Sequence, residues 1–91
     1  MPFTNNDEVP FRGTWYETAG VYGIMNNQRE MVYIGQTDNF KRRMAEHQAD
    51  QTHPMHRYGP ASVLAEIVSD PVPRAARERV LIAEYGPPAN Q

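Results

Sequence analysis

Residues 20–35 read GVYGIMNNQREMVYIG, and this stretch decides the fold. β-Branched and aromatic residues predict one strand over 20–25 and a second over 31–35. The polar residues between these strands, Asn26 to Gln28, are typical of a turn. Two strands joined by so short a connection form an antiparallel hairpin, in which we expect Tyr22 and Tyr33 to lie near one another.

The residues after the hairpin predict a helix that ends near Asp50. Thr37 or Asp38 offers a side-chain oxygen as its N-cap. Phe40 and Met44 are four residues apart, so they give the helix an apolar seam. This helix begins only a few residues after the second strand ends, so its first turns stay close to that strand.

The rest of the chain predicts one more strand and one more helix. Residues 62–68 alternate and are rich in β-branched side chains. Asp70 is an N-cap for a helix over 74–85, and Gly86 suits the position just after its end. The order β-β-α-β-α predicts an α+β fold, a small three-stranded antiparallel sheet flanked by helices. We expect residues 1–12 to be an N-terminal arm, either loose or extending a sheet edge, and residues 13–91 to be a single domain.

Composition excludes several classes of protein. The chain has 91 residues, a net charge of −2 and no cysteine. It therefore has no disulfide framework and no thiolate metal site. It also lacks the strong positive charge of a dedicated DNA-coating protein. The sequence has no apolar run near the ~20 residues that cross a bilayer and no secretory signal pattern, so we expect no membrane association and a cytoplasmic (intracellular) location.

Arg43 and His47 are four residues apart and share one face of the first predicted helix. A guanidinium near the strand end that bears Tyr33 can clamp a phosphate and neutralise developing charge. The alternative for Arg43 is a surface ion pair with a carboxylate. Lys41 and Arg42 make this helix basic, which suits phosphate contact but equally suits a solvated helix face.

Glu78 shares a face of the second predicted helix with Ile82 and Tyr85. A carboxylate on an inward face is costly unless it is paired or holds a cation. Mg²⁺ needs only one or two carboxylates and keeps most of its waters, so a lone glutamate is an adequate protein ligand. The alternative is an ion pair with Arg74, one turn earlier.

The remaining candidates carry two interpretations each. Tyr22 and Tyr33 either pack as strand aromatics or use their phenols to orient a water. His53 and His56 lack further ligands, so no metal is assigned to them. Asn90 either ties the end of the chain to the sheet or contacts substrate.

Taken in order, these residues resemble the GIY-YIG nuclease family over about residues 20–90. The motifs that carry the resemblance are Gly20-Val21-Tyr22, Tyr33-Ile34-Gly35, Arg43, His47, Glu78 and the tail Pro87-Pro88-Ala89-Asn90. The resemblance implies a nuclease domain that hydrolyses DNA phosphodiesters with one divalent ion, Mg²⁺ or Mn²⁺, and leaves a nick with a 5′-phosphate. In that scheme Glu78 binds the metal, and Tyr22 or Tyr33 activates a water with help from His47.

The same resemblance implies that Arg43 stabilises the developing charge, and that Lys41, Arg42 and Asn90 bind the substrate. The expected partner is DNA, with branched, damaged or single-stranded forms as candidate substrates, and the expected state is a monomer or weak homodimer. The alternative function is a catalytically weak or inactive nucleic-acid-binding module within a larger complex.

Overall fold

The computed structural model describes Phe3 and residues 8–90. Within that part of the chain the elements are β1 (Glu8–Pro10), β2 (Gly20–Asn26), β3 (Met31–Thr37), α1 (Phe40–Ala49), β4 (Pro60–Ile67) and α2 (Pro71–Tyr85), with short 3₁₀ helices at Pro54–Tyr58 and Pro88–Asn90. None of the described helices is both long and apolar enough to cross a membrane.

The strands form one antiparallel sheet in the order β1-β4-β2-β3. The predicted hairpin is confirmed: Tyr22 lies opposite Gly35, and Ile24 lies opposite Tyr33. The α+β class is confirmed as well, but the sheet has a fourth strand beyond the three predicted. That strand, β1, comes from the predicted arm and pairs with β4, with Val9 opposite Val63. Three residues are too few to show an alternating pattern, so β1 has no periodic signal in the sequence.

The two helices pack on opposite faces of the sheet. Successive side chains of each strand point to alternate faces, so the central strands supply apolar side chains to both helices. On one face the buried core joins Tyr22 and Ile24 to Phe40 and Met44 of α1. On the other face it joins Val21, Ile34 and Leu81, the last of which belongs to α2. Strand β3 lies at the edge of the sheet. Side chains from the helices on both faces can therefore reach the exposed edge of its backbone.

Both helices begin where a side-chain oxygen caps them, although the first cap differs from the prediction. Asn39 caps α1 by accepting a hydrogen bond from the Arg42 backbone N–H, whereas Thr37 and Asp38 had been expected to do so. Thr37 Oγ1 instead accepts from the Asn39 backbone N–H. Asp70 caps α2 as predicted, and the helix starts at once with Pro71, where the missing N–H costs nothing.

Candidate active site

Tyr22 and His47 form the buried centre of the candidate site. Tyr22 is fully buried, and His47 is 2% exposed. The Tyr22 hydroxyl oxygen lies 2.7 Å from His47 Nε2, a hydrogen bond whose direction follows the imidazole tautomer. The pairing depends on the hairpin and on α1 together, because Tyr22 belongs to β2 and His47 lies in the third turn of the helix.

Burial keeps both members of this pair neutral. Burial, with a smaller contribution from the Arg43 positive charge, lowers the pKa of His47 to about 3. Burial also raises the pKa of Tyr22 above its ordinary value; the neighbouring Tyr33 and Glu78 add to this rise, and Arg43 opposes it. At neutral pH the phenol is therefore protonated and the imidazole uncharged.

Arg43 extends from α1 towards the Tyr22 phenol. Partial burial works against its charge, but hydrogen bonds with Tyr22 and Glu46 outweigh this and raise the pKa of Arg43. Its guanidinium also pairs with Glu46, with Arg43 Nη1 3.1 Å from Glu46 Oε1. Arg43 thus has the surface ion pair of one interpretation and also stands beside the buried tyrosine, while its contact with a phosphate stays a prediction.

Gly35 leaves room for the Tyr22 phenol on edge strand β3. A Cβ atom at position 35 would lie 2.5 Å from the Tyr22 hydroxyl oxygen and 2.7 Å from Tyr22 Cζ. A side chain at that position is therefore excluded while Tyr22 keeps its place. The backbone of β3 and the phenol are in direct contact, which explains why the second motif ends in glycine.

Glu78 approaches the same strand from the opposite face of the sheet. Its half-buried carboxylate accepts a hydrogen bond from Gln36, the residue after Gly35, with Gln36 Nε2 3.3 Å from Glu78 Oε1. The sequence motifs predict a shared pocket, formed by the hairpin and two flanking helices, that holds both the carboxylate and the Arg43 guanidinium. The structure instead brings them to either side of one edge strand, and the Glu78 charge reaches far enough to raise the Tyr22 pKa.

The predicted alternative, a direct ion pair of Glu78 with Arg74, does not form. Gln36 lies between them: it donates to Glu78 and accepts from Arg74 Nε at 3.2 Å. Among the described residues, no lysine or arginine nitrogen lies within 4 Å of the Glu78 carboxylate.

The donor set fits one hydrated hard cation. Residues 8–90 and Phe3 contain no cluster of three or more His, Cys, Asp and Glu side chains arranged to hold a metal. A zinc or calcium cage is therefore not built from this part of the chain. A single glutamate carboxylate without a cationic partner suits Mg²⁺, which keeps several waters and takes few protein ligands.

His53, in the loop between α1 and the 3₁₀ helix Pro54–Tyr58, is a histidine that the sequence analysis did not connect to the site. The His53 ring packs edge-on against Tyr33, with the ring centroids 4.7 Å apart, and lies 5.3 Å from the His47 ring. Its Nδ1 accepts from the Met55 backbone N–H. His56 contacts the His47 backbone oxygen. A loop has no periodicity, so spacing alone could not show these contacts.

The three residues predicted to bind substrate lie in different surroundings. Lys41 is exposed on α1. Arg42 is also exposed and forms an ion pair with Asp38. The Asn90 amide contacts Ile34 through both of its polar atoms, and its substrate binding stays a prediction: Oδ1 accepts from the Ile34 N–H and Nδ2 donates to the Ile34 oxygen, both at 2.8 Å. The side chain therefore acts as a strand partner that closes part of the β3 edge, as the structural interpretation of Asn90 predicted.

Comparison with known protein families decides the assignment. The family model of the GIY-YIG catalytic domain matches residues 18–91. This chain belongs to the GIY-YIG family. The match includes both tripeptide motifs and the tail that carries Asn90, so the resemblance seen in the sequence is confirmed, and with it membership of a family of metal-dependent nuclease domains.

Solved structures of another GIY-YIG domain share the fold. The N-terminal endonuclease domain of UvrC from Thermotoga maritima, bound to its catalytic magnesium, aligns with a TM-score of 0.74 and 24% identity over 85% of this chain and 88% of that one. A point mutant of that domain, bound to its catalytic divalent cation, aligns with a TM-score of 0.72 and 23% identity over 82% and 84% of the two chains. No curated protein matches this GIY-YIG domain at a significant level.

Proposed function

We propose that this GIY-YIG domain is a Mg²⁺-dependent DNA endonuclease that hydrolyses one phosphodiester bond at a time. The observation that carries the proposal is the meeting at strand β3 of Arg43, the tyrosine pair and the Glu78 carboxylate. This set supplies a cationic fork, phenolic oxygens and one hard anionic ligand, which are the groups that metal-assisted phosphodiester hydrolysis needs. The GIY-YIG endonuclease domain of UvrC binds a catalytic divalent cation, which supports the same cofactor class here.

Glu78 is the residue that would hold Mg²⁺, or Mn²⁺ in its place. The ion, when bound, supplies Lewis-acid polarisation of a phosphate oxygen and stabilises the leaving oxygen. The carboxylate is half buried, and its hydrogen-bond partner Gln36 is neutral, so its negative charge stays available for a cation.

Arg43 binds the scissile phosphate in this proposal. Its pair with Glu46 is partly exposed, with the arginine side chain 37% exposed, and exposed pairs contribute little free energy. A phosphate can therefore replace Glu46 as the partner of the guanidinium at small cost. The guanidinium then lies against the charge that develops on the phosphate oxygens.

The two tyrosines have different roles in the proposal. Tyr22 is fully buried and its hydroxyl bonds to His47, so its role is to keep the buried centre of the site in one arrangement. Tyr33 is only half buried and is therefore the more accessible of the two tyrosines. We assign the positioning of the attacking water to Tyr33, while His47 holds Tyr22 in place. The products would carry a 5′-phosphate and a 3′-hydroxyl.

The test is nicking of supercoiled plasmid and of branched and single-stranded oligonucleotides, with Mg²⁺ or with EDTA. Wild type should nick only with Mg²⁺, and Glu78→Gln and Arg43→Met should each lower the rate by at least about 100-fold. Glu17→Gln and Arg79→Met change exposed residues of the same types and should cleave like wild type. Metal-independent cleavage, or equal rates for wild type and Glu78→Gln, would contradict the proposal. DNA binding without turnover in every variant would support the binding-module alternative instead.

A further inference from the structure

Gln36 occupies a position that no catalytic role yet explains. It directly follows Gly35 on edge strand β3 and faces α2, because its strand neighbour Val21 belongs to the core on that side. Its amide makes two contacts, donating to Glu78 Oε1 at 3.3 Å and accepting from Arg74 Nε at 3.2 Å. Arg74 and Glu78 are one helical turn apart, yet the side chain of a third residue separates them.

Arg74 fixes which way the Gln36 amide points. A guanidinium has donors only, so the atom of Gln36 that faces Arg74 must be the carbonyl oxygen. The NH₂ group then faces Glu78. Arg74 is itself held by the backbone oxygens of Val68 and Ser69, with its Nη1 3.4 Å and 3.2 Å from them. The orientation of the amide is therefore set by a chain of contacts that begins on the loop before α2.

We propose that Gln36, oriented by Arg74, is a positioning residue that presents the Glu78 carboxylate to the divalent cation. This inference rests on the proposed function, which assigns the cation to Glu78. The Gln36 amide engages Oε1, so Oε2 would be the oxygen that takes the cation. Because Gln36 is neutral, it fixes the carboxylate without cancelling its charge. A direct ion pair with Arg74 would instead compete with the cation.

The expected effect is a loss of metal affinity. Partners that orient a metal-binding side chain typically change affinity by about 10- to 100-fold when they are removed. The Gln36–Glu78 contact of 3.3 Å is long for a hydrogen bond, so we expect a value near the lower end, about 10-fold.

The experiment titrates Mn²⁺ into the apo protein and follows free Mn²⁺ by electron paramagnetic resonance. The variants are Gln36→Met, which removes both amide contacts, and Gln36→Thr, which suits a strand but is too short to reach Glu78. Gln28→Met is the matched control, because Gln28 is exposed on the hairpin turn. Thermal unfolding of each variant shows that it is folded before the metal is added.

We expect both Gln36 variants to raise the half-saturating Mn²⁺ concentration about 10-fold, with Gln28→Met unchanged. In the nicking assay they should raise the half-saturating Mg²⁺ concentration while the rate at saturating Mg²⁺ is largely kept. A purely structural role would not separate these two quantities.

Mn²⁺ binding separates failure of the Gln36 inference from failure of the proposed metal ligand. If Mn²⁺ binds wild type and the folded Gln36 variants equally and is lost in Glu78→Gln, the role of Gln36 is wrong and the proposed metal ligand stands. If Glu78→Gln binds Mn²⁺ as well as wild type does, the proposed metal ligand is wrong, and the inference about Gln36 falls with it.

Discussion

Replacing Gly35 with alanine tests the tightest contact of the site. The new methyl group would lie 2.5 Å from the Tyr22 hydroxyl oxygen, 2.7 Å from Tyr22 Cζ and 3.1 Å from Tyr33 Cε2. Ordinary contacts of this kind begin near ~3.5 Å, so about an ångström of overlap must be relieved. Tyr22 is fully buried, its hydroxyl bonds to His47, and Phe40 packs edge-on against its ring. The ring is therefore held both at its hydroxyl and along its edge, and any shift disturbs these contacts.

Overpacking of this kind typically costs about 1–3 kcal/mol. For a domain of this size each kcal/mol lowers the melting temperature by roughly 4–8 °C. Gly35→Ala should therefore melt at least about 4 °C below wild type and show a lower urea midpoint with an unchanged slope. It should also cleave DNA more slowly, because relief of the overlap moves the phenol away from His47.

A double-mutant cycle with Tyr22→Phe makes the test specific. Tyr22→Phe removes the oxygen that the methyl group would strike, so Gly35→Ala should cost less in that background. We expect a coupling of at least about 0.5 kcal/mol between the two substitutions. A Gly35→Ala protein as stable as wild type, or equal losses with and without the hydroxyl, would refute the packing described for the site.

Three further predictions concern pH, the C-terminal tail and the basic helix. The pKa of His47 falls from an unfolded value near ~6.5 to about 3, so the unfolded state binds more protons between these values and stability should drop as pH falls through that range, by at most on the order of 5 kcal/mol. Urea titrations of wild type and His47→Gln should show a weaker pH dependence in the variant. Asn90→Ala breaks two bonds to Ile34 and should cost about 1–3 kcal/mol without changing KM, whereas exposed Asn27→Ala should be neutral in chemical denaturation. Arg42→Met removes an exposed ion pair, so the urea midpoint should stay close to that of wild type, while fluorescence anisotropy should show weaker DNA binding and a shallower salt dependence; unchanged binding would exclude phosphate contact there.

The hairpin and the two helices were predictable because their signals are local. Alternating apolar residues, a polar turn and capping side chains all lie within a few residues of one another. The cap of α1 was misplaced by one or two residues because Thr37, Asp38 and Asn39 are all good caps, and the choice depends on backbone angles that the sequence does not reveal. Asn39 has the extended backbone that an N-cap needs.

The site was predictable in composition but not in arrangement. Family motifs and their order named the residues, yet they did not show that Glu78 and Arg43 come from helices on opposite faces of the sheet. The arrangement depends on the order of the strands in the sheet and on which face of the sheet each β3 side chain points to. The role of Gln36 was also invisible, since it lies 38 residues from Arg74 and 42 from Glu78, and no sequence spacing connects them.

The most direct test of the central claim is a crystal structure with Mn²⁺, using anomalous scattering to locate the ion. The account predicts one ion on the Glu78 carboxylate, beside the β3 edge, with Arg43 and Tyr33 within reach of a phosphate or water bound to that ion, and no ion in Glu78→Gln crystals. An ion bound elsewhere, or a Glu78 site from which strand β3 screens the Arg43 guanidinium, would contradict it.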